Sequence, residues 1–325
     1  MQVKNYYWEY NDRPNLIIVR CGKDSLHTNW IETNSSYNIV LIPYADINPI
    51  NKRNCFVTDK VFGQKWAPIY SFIVNNFDFV MKHQYIWIPD DDLYMDRDLL
   101  ESFFKASRMD QVIMAQPALS LNNNYSHVIT LSFPNIYARS VSFVEIMAPL
   151  FSREALLSCL WTFNLNSTGW GLEEIWFKIL QSKSDAVTEK IRIYDSFSMT
   201  HTRPLGGQDR GDGILGDKSP AKDKYKLHND WNLRPMRRIY SIELRISDLS
   251  CTIYEAKDKL IFNEVIAESL AIISKKLDRQ FRRKIGGAQG KELTNSFTEN
   301  KYLLLQFLLF PFRVAKRLAD KYLTP

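Results

Sequence analysis

The chain has 325 residues, 45% hydrophobic and 24% charged, which excludes a fibrous or disordered polymer and leaves room for one large α/β domain plus an accessory segment. Its formal net charge of +6 is concentrated at the end: from Lys275 to Pro325 there are twelve Lys/Arg against four Asp/Glu, and the remainder is slightly acidic. A nucleic-acid enzyme would carry its basic stripe around the active cleft, so no nucleic-acid partner is expected.

The four cysteines, Cys21, Cys55, Cys159 and Cys251, are far apart in the chain. Neither a zinc ribbon nor a disulfide framework is indicated, and a reducing, cytoplasmic compartment fits best. Met1 to Asn15 has no apolar core followed by a small-residue cleavage site, so no signal peptide is expected. Nor is any apolar run long enough to span a bilayer.

Taken along the chain, Leu16 to Gly22 and Asn38 to Tyr44 read as two buried strands. Between Lys65 and Met81 the spacing of Ile69, Ile73, Val74 and Phe77 predicts a helix leading into a third strand, Tyr85 to Ile88. Such alternation points to a mostly parallel sheet with covered faces. At the third strand's exit Pro89 is followed by Asp90, Asp91 and Asp92, where an open α/β sheet puts its ligand site. Adjacent acids repel unless a cation shares the space, and a hard divalent cation carrying phosphate is the usual solution. Alternatively, the three cap the helix suggested by Leu93, Leu99, Leu100, Phe103 and Phe104. An EF-hand is excluded, because Met95 stands where the loop needs glycine.

Val112 to Pro117 reads as another strand. Phe143 to Pro149 then places Glu145 inside an apolar segment, so it either supports a site or faces solvent on an edge. Ser152 is a helix cap of an incomplete capping box. Gly169-Trp170-Gly171 runs into a helix with apolar positions Leu172, Ile175, Trp176, Ile179 and Leu180. Glu173 and Glu174 fall on its first turn, off that face. They either complement the helix dipole, with Glu174 pairing Lys178, or supply a general base beside a Trp170 platform for a sugar ring. A strand from Ile191 reaches His201-Thr202-Arg203-Pro204, where an imidazole could complete a metal shell and Arg203 could face a diphosphate. Asp46 and Lys65 are weaker donor-side candidates. Gly206 to Asp230 reads as a loop, Ile239 to Ile246 as a strand, Tyr254 to Leu277 as a helix, and Gly286 to Gly290 as a linker.

Ile88-Pro89-Asp90-Asp91-Asp92, Gln116-Pro117-Ala118, Phe143 to Pro149, Gly169 to Glu173 and His201-Thr202-Arg203-Pro204, in that order, resemble the DUF707 family of GT-A-type, glycosyltransferase-like proteins. The resemblance covers roughly Leu16 to Gly207. It implies a GT-A-like, Rossmann-like α/β fold in residues 1–250, and the charge and helical spacing beyond predict a basic helical extension over 251–325. It also implies an acidic DxD element that holds Mn²⁺ or Mg²⁺ against a nucleotide-sugar donor. Asp90 and Asp92 then fill the acidic positions, and His201 reaches the same ion. Asp46, Lys65, Asp90, Asp91 and Arg203 are the donor-side residues, Trp170 and Glu145 the acceptor side. The Trp170 to Glu174 run is similar to the tryptophan, glycine and acid element of inverting galactosyltransferases, with leucine in place of a second glycine. Glu173 is the favoured base and Glu174 the alternative.

The expected function is transfer of a sugar to a hydroxyl acceptor of surface polysaccharide or glycolipid. The rival readings are a nucleotidyl- or phosphotransferase and a non-catalytic glycan-binding protein. Tyr302 to Phe312, followed by Arg313, Lys316, Arg317 and Lys321, is suited to an anionic membrane surface. That would place the protein at the inner face of the cytoplasmic membrane. A helix packed on the domain and a dimer contact are the alternatives.

Overall fold

A computed structural model describes residues 12–32, 34–47, 54–121, 124–183, 185–203, 220–233, 237, 239–247, 250–255 and 269. The chain divides into two compact units, Met1–Leu131 with Ala138–Tyr240, and Ser132–Tyr137 with Ser241–Pro325. The division falls at Tyr240, where the sequence reading set its boundary at residue 250.

The first unit is a mixed sheet with flanking helices. Its strands are β1 (Asn15–Cys21), β2 (Tyr37–Pro43), β3 (Cys55–Val57), β4 (Tyr85–Trp87), β5 (Leu93–Tyr94), β6 (Met114–Leu119), β7 (Ile136–Val141, whose first two residues fall in the second unit), β8 (Leu150–Ser152) and β9 (Ile191–His201). The order across the sheet is β7-β9-β6-β8-β4-β1-β2-β3, with β5 pairing β9. Pairing is parallel through β3-β2-β1-β4 and between β6 and β9. Strand β8 runs antiparallel to both β4 and β6. Two reversals cancel, so β1, β2, β4, β6 and β9 all deliver their carboxyl ends to one edge. The chain moves outward from β1 to β2 and β3 and then returns to β4 on β1's other side. That reversal is the topological switch point, where an open α/β sheet has its crevice.

The apolar strands are buried on both faces, which is why they read as continuous runs. Ile86 and Ile88 belong to a core with Trp66, Phe151, Phe163 and Trp176, built against helices α1 (Trp66–Asn75), α4 (Arg153–Cys159) and α5 (Leu172–Gln181). Trp87 points the other way, toward Trp30, Phe103 and Phe104, the last two on α3 (Arg97–Met109).

The single helix expected over Lys65 to Met81 is broken at Asn76 into α1 and α2 (Phe77–Met81), with the Asn76 side chain donating to the Phe72 carbonyl. Helix α3 is capped by Asp96, whose Oδ1 accepts from the Asp98 N–H at 2.9 Å. The aspartate triplet is therefore not its cap. Ser152 caps α4 as expected, accepting from the Ala155 N–H. The stretch read as a loop to Asp230 contains α6 (Pro220–Asp230), opened by proline at its first position. In the second unit β10 (Ile239–Ser247), which begins two residues before it, pairs antiparallel with β11 (Ser250–Glu255). Tyr254 and Glu255 are thus strand rather than helix. The rest of that predicted helix apart from Ser269, the Gly286 to Gly290 linker and the basic tail lie outside the described residues. Among the described residues, no helix is long and apolar enough to cross a membrane.

Candidate active site

The three adjacent aspartates at the exit of β4 have separate fates. Asp90 Oδ1 accepts from Lys65 Nζ at 2.7 Å, and the same ammonium donates to the carbonyls of Ile146 and Met147. The Asp90 side chain keeps 38% of its exposure. Burial and the charges of Asp92 and Asp91 push its carboxyl up, against Lys65.

Asp91 turns inward. Its Oδ2 accepts from Ser25, just past β1, and from the Tyr44 hydroxyl, just past β2, the latter at 2.6 Å. Its Oδ1 accepts from Arg203 at 2.9 Å. Asp91 was expected on the donor side, but both of its oxygens are committed to the protein, where they tie together the loops after β1, β2 and β9. Gly22 is required for this arrangement, because a Cβ there would fall 2.6 Å from the Tyr44 ring.

Asp92 faces His201. The short pairing of β5 with the end of β9 sets Leu93 opposite His201, and Thr202 donates to the Asp92 carbonyl through N–H and hydroxyl. Asp92 Oδ2 lies 3.3 Å from His201 Nε2, while the buried Oδ1 has no hydrogen-bond partner outside its own residue. His201 Nδ1 lies 3.1 Å from the Asn124 carbonyl, an outer contact that orients an imidazole and leaves Nε2 for the site. Burial disfavours the charge on both groups. Each nevertheless stabilises the other's ionised form, so the Asp92 carboxyl is lowered and His201 raised.

Arg203, expected to face a diphosphate, spreads its guanidinium over Asp91 Oδ1 and the Asp24 carbonyl, 3.7 Å from Asp92 Oδ2. Arg203 thus sets its positive charge against Asp91 and Asp92. Asp46 is paired with Lys60 on the surface instead of joining the site. Lys65 reaches the site, but as the partner of Asp90.

The second half of the site comes from α5 and α6. Gly169 and Gly171 both have positive φ, and a Cβ on Gly169 would fall 2.1 Å from Trp66 Nε1. The tight turn leaves Trp170 40% exposed and delivers Glu173 and Glu174 to the first turn of α5. Both glutamates are buried, contrary to the expectation that they lie off the buried face, because α6 covers them. Glu173, only 4% exposed, accepts from the Gly171 N–H at 3.1 Å. Glu174 pairs with Lys224 at 2.9 Å rather than with Lys178, which donates to the Trp231 carbonyl. Burial and the neighbouring Glu174 raise the Glu173 carboxyl against Lys224. For Glu174 burial is outweighed by His228, Lys224 and Arg237, which hold it low.

Glu145 is buried, which excludes the solvent-facing alternative. Its N–H donates to Gln116 Oε1 at 2.5 Å, its Oε1 is 4.0 Å from His127, and its Oε2 has no hydrogen-bond partner. Burial and then the charge of Asp90 raise its carboxyl to about 7, opposed by His201, Arg237 and Ser126.

Sequence reasoning missed Ser25, Tyr44, Asn124, Lys224, His228 and Arg237. The first two stand just past strand ends, a positional signal that could have been read. Lys224 and His228 lie one helical turn apart on α6, but nothing local says what that turn faces.

Among the described residues, no three His, Cys, Asp or Glu side chains are arranged to hold a metal ion. Asp92 and His201 are two convergent donors, whereas Asp90, expected as a third, is held by Lys65.

The fold and site define an open α/β protein with its acidic, histidine- and arginine-bearing crevice at the strand ends of the switch point. No protein-family model matches the chain, and no curated protein matches it. Among solved structures it is similar to TarS of S. aureus, at 11% identity over 66% of this chain and 43% of that one, with a TM-score of 0.40. It is similar to GalNAc-T7, crystallised with UDP, GalNAc and Mn²⁺, at 12% identity over 67% of this chain and 49% of that one, with a TM-score of 0.42. The chain thus spans less than half the length of these two. With residues 1–349 of TarS in complex with UDP, identity is 10% over 81% of this chain and 82% of that one, at a TM-score of 0.40.

Proposed function

We propose that the chain is a glycosyltransferase that moves a sugar from a nucleoside-diphosphate sugar to a hydroxyl acceptor, and that it belongs with the DUF707 proteins its motifs resemble. The observation that carries this reading is the meeting of Asp92 and His201 at the carboxyl edge of the sheet, with a buried Asp92 oxygen left without an external partner. A carboxylate oxygen and an imidazole nitrogen suit Mn²⁺, and the carboxylate suits Mg²⁺. Those two residues would hold the ion, with Asp90 left to Lys65. When bound, the ion supplies positive charge to the diphosphate.

The chain's own groups account for the remaining chemistry. Arg203 and Lys65 place fixed cations beside the crevice, where a departing nucleoside diphosphate gains negative charge. The exposed face of Trp170 offers an apolar surface to an acceptor ring. Glu173, whose carboxyl is raised toward neutrality, takes the acceptor hydroxyl's proton as that oxygen attacks the anomeric carbon. The bond from that carbon to the diphosphate oxygen breaks with its electron pair leaving on the diphosphate, and the configuration inverts. A lipid-linked or polysaccharide acceptor fits the basic, apolar tail.

Calorimetric titration with a panel of nucleoside diphosphates and nucleotide sugars, in Mn²⁺ and then in EDTA, tests the reading. The expected outcome is binding of one nucleotide that EDTA removes and Asp92→Ala abolishes, while Glu173→Gln binds donor and loses transfer. Binding of none by folded protein would leave the non-catalytic glycan-binding alternative.

A further inference from the structure

Helix α6 belongs to none of the motifs that point to the site, yet it closes over it. Asp223 Oδ2 accepts from the Ser167 hydroxyl at 3.1 Å, the Thr168 N–H at 3.2 Å and the Thr168 hydroxyl at 2.9 Å, which clasps the helix to the turn before Gly169. Leu227 is buried against Gly171, where a Cβ would meet Leu227 at 3.1 Å, Lys224 at 3.5 Å and His228 at 3.6 Å. The missing side chain therefore lets α6 approach close enough for Lys224 to reach two carboxylates. Its Nζ lies 2.9 Å from Glu174 Oε1 and 3.5 Å from Glu173 Oε1.

The surroundings of the two glutamates are unequal. Glu174 has Lys224 and His228 from α6, the latter at 3.7 Å and beyond hydrogen-bond range, and Arg237 from the following segment at 3.9 Å. Glu173 has the longer contact to Lys224 and the Gly171 N–H, with Glu145 acting on it as a further negative charge. Burial, Arg237 and Lys224 push His127 well below the usual imidazole range, against Glu174. Two adjacent buried carboxylates do not both ionise readily, and the one closer to cations does so first.

We infer that Lys224 is a positioning residue that divides the labour of the pair, holding Glu174 as a standing anion and leaving Glu173 as the carboxyl that exchanges the acceptor's proton. This rests on the transferase reading for its substrate but on the geometry of α5 and α6 for the division itself. Lys224 acts through the glutamates and touches no reacting atom.

The test is a titration of the full chain carrying isotope-labelled glutamate carboxyls, followed by NMR from about pH 4 to about pH 9. The two resonances are identified by their loss in Glu173→Gln and Glu174→Gln. In Lys224→Met the upper step of the pair should move to higher pH by about one unit, or tenfold in proton affinity, and the Glu174 step, which lies below the window in the wild type, should rise toward it. Lys224→Arg should retain the wild-type titration. In Glu174→Gln the Glu173 step should move down through loss of the neighbouring negative charge, so Lys224 is isolated by adding Lys224→Met to that variant, where the Glu173 step should move back up. Comparison of Glu174→Gln with Glu174→Gln/Lys224→Met decides the matter even if Lys224→Met alone does not fold. An unmoved upper step in Lys224→Met, or an unmoved Glu173 step between those two variants, overturns the proposal. Donor titration of the same wild-type sample separates the two readings, since absence of nucleotide-sugar binding sinks the transferase and leaves the carboxyl titration to judge Lys224. Where transfer is measured, the acid limb of kcat/KM in Lys224→Met moves upward with the upper step.

Discussion

Glu145 is a buried acid in an apolar run, with one oxygen lacking a hydrogen-bond partner and a carboxyl raised from 4.5 to about 7. Over that window the folded chain binds more protons than the unfolded one, so this residue's contribution to stability falls as pH rises and levels off above the folded value. Glu145→Gln removes the titration. Its unfolding free energy relative to wild type should therefore improve by on the order of 2 kcal/mol between about pH 5 and about pH 7.5. Denaturant unfolding across that range checks it, and parallel curves for the two chains would refute it. The aspartate triplet makes a related point. Asp90, Asp91 and Asp92 look alike in sequence, but Lys65, Arg203 with Tyr44, and His201 give them three different roles.

Helix α6 buries one apolar residue, Leu227, so polar contacts to the α5 turn contribute much of its docking. A helix held this way opens locally at lower cost than the sheet does. Asp223→Ala deletes an acceptor of three hydrogen bonds, each worth about 1 kcal/mol. Amide exchange in 220–230 should accelerate about tenfold or more, with β1 and β4 still protected. Exchange rates that rise equally in both regions would show that α6 is part of the global unit instead. Periodicity is too weak to announce this helix, since a mainly polar segment has no apolar stripe to display. Helix α3 was legible because Leu100, Phe103 and Phe104 form such a stripe.

Across the first unit, a wholly buried ion pair joins β7 to β9. Arg139 Nε and Nη2 donate to the two Asp195 oxygens at 2.8 and 3.0 Å, and its Nη1 and Nη2 also donate to the carbonyls of Ile129 and Leu131. Both side chains are 0% exposed. Removing one partner strands a charge away from water, so Asp195→Ala should lower global stability by about 3–5 kcal/mol. Urea midpoints would measure it, and a loss near that of a surface pair would mean that water reaches the arginine.

Strands β1, β2 and β4, the acids at the exit of β4, the glycine-flanked Trp170 and the histidine ending β9 are legible in the residues alone. Each is written in neighbouring residues through apolar runs, proline and glycine, whose effects are local. Folding in three dimensions sets β8 antiparallel within the sheet, turns Asp91 inward, buries Glu173 and Glu174, and brings Lys224 to both. Those outcomes depend on contacts between residues far apart in the chain, such as Asp91 with Arg203 and Glu174 with Lys224. The chain's local pattern carries no record of which distant charge will neutralise which.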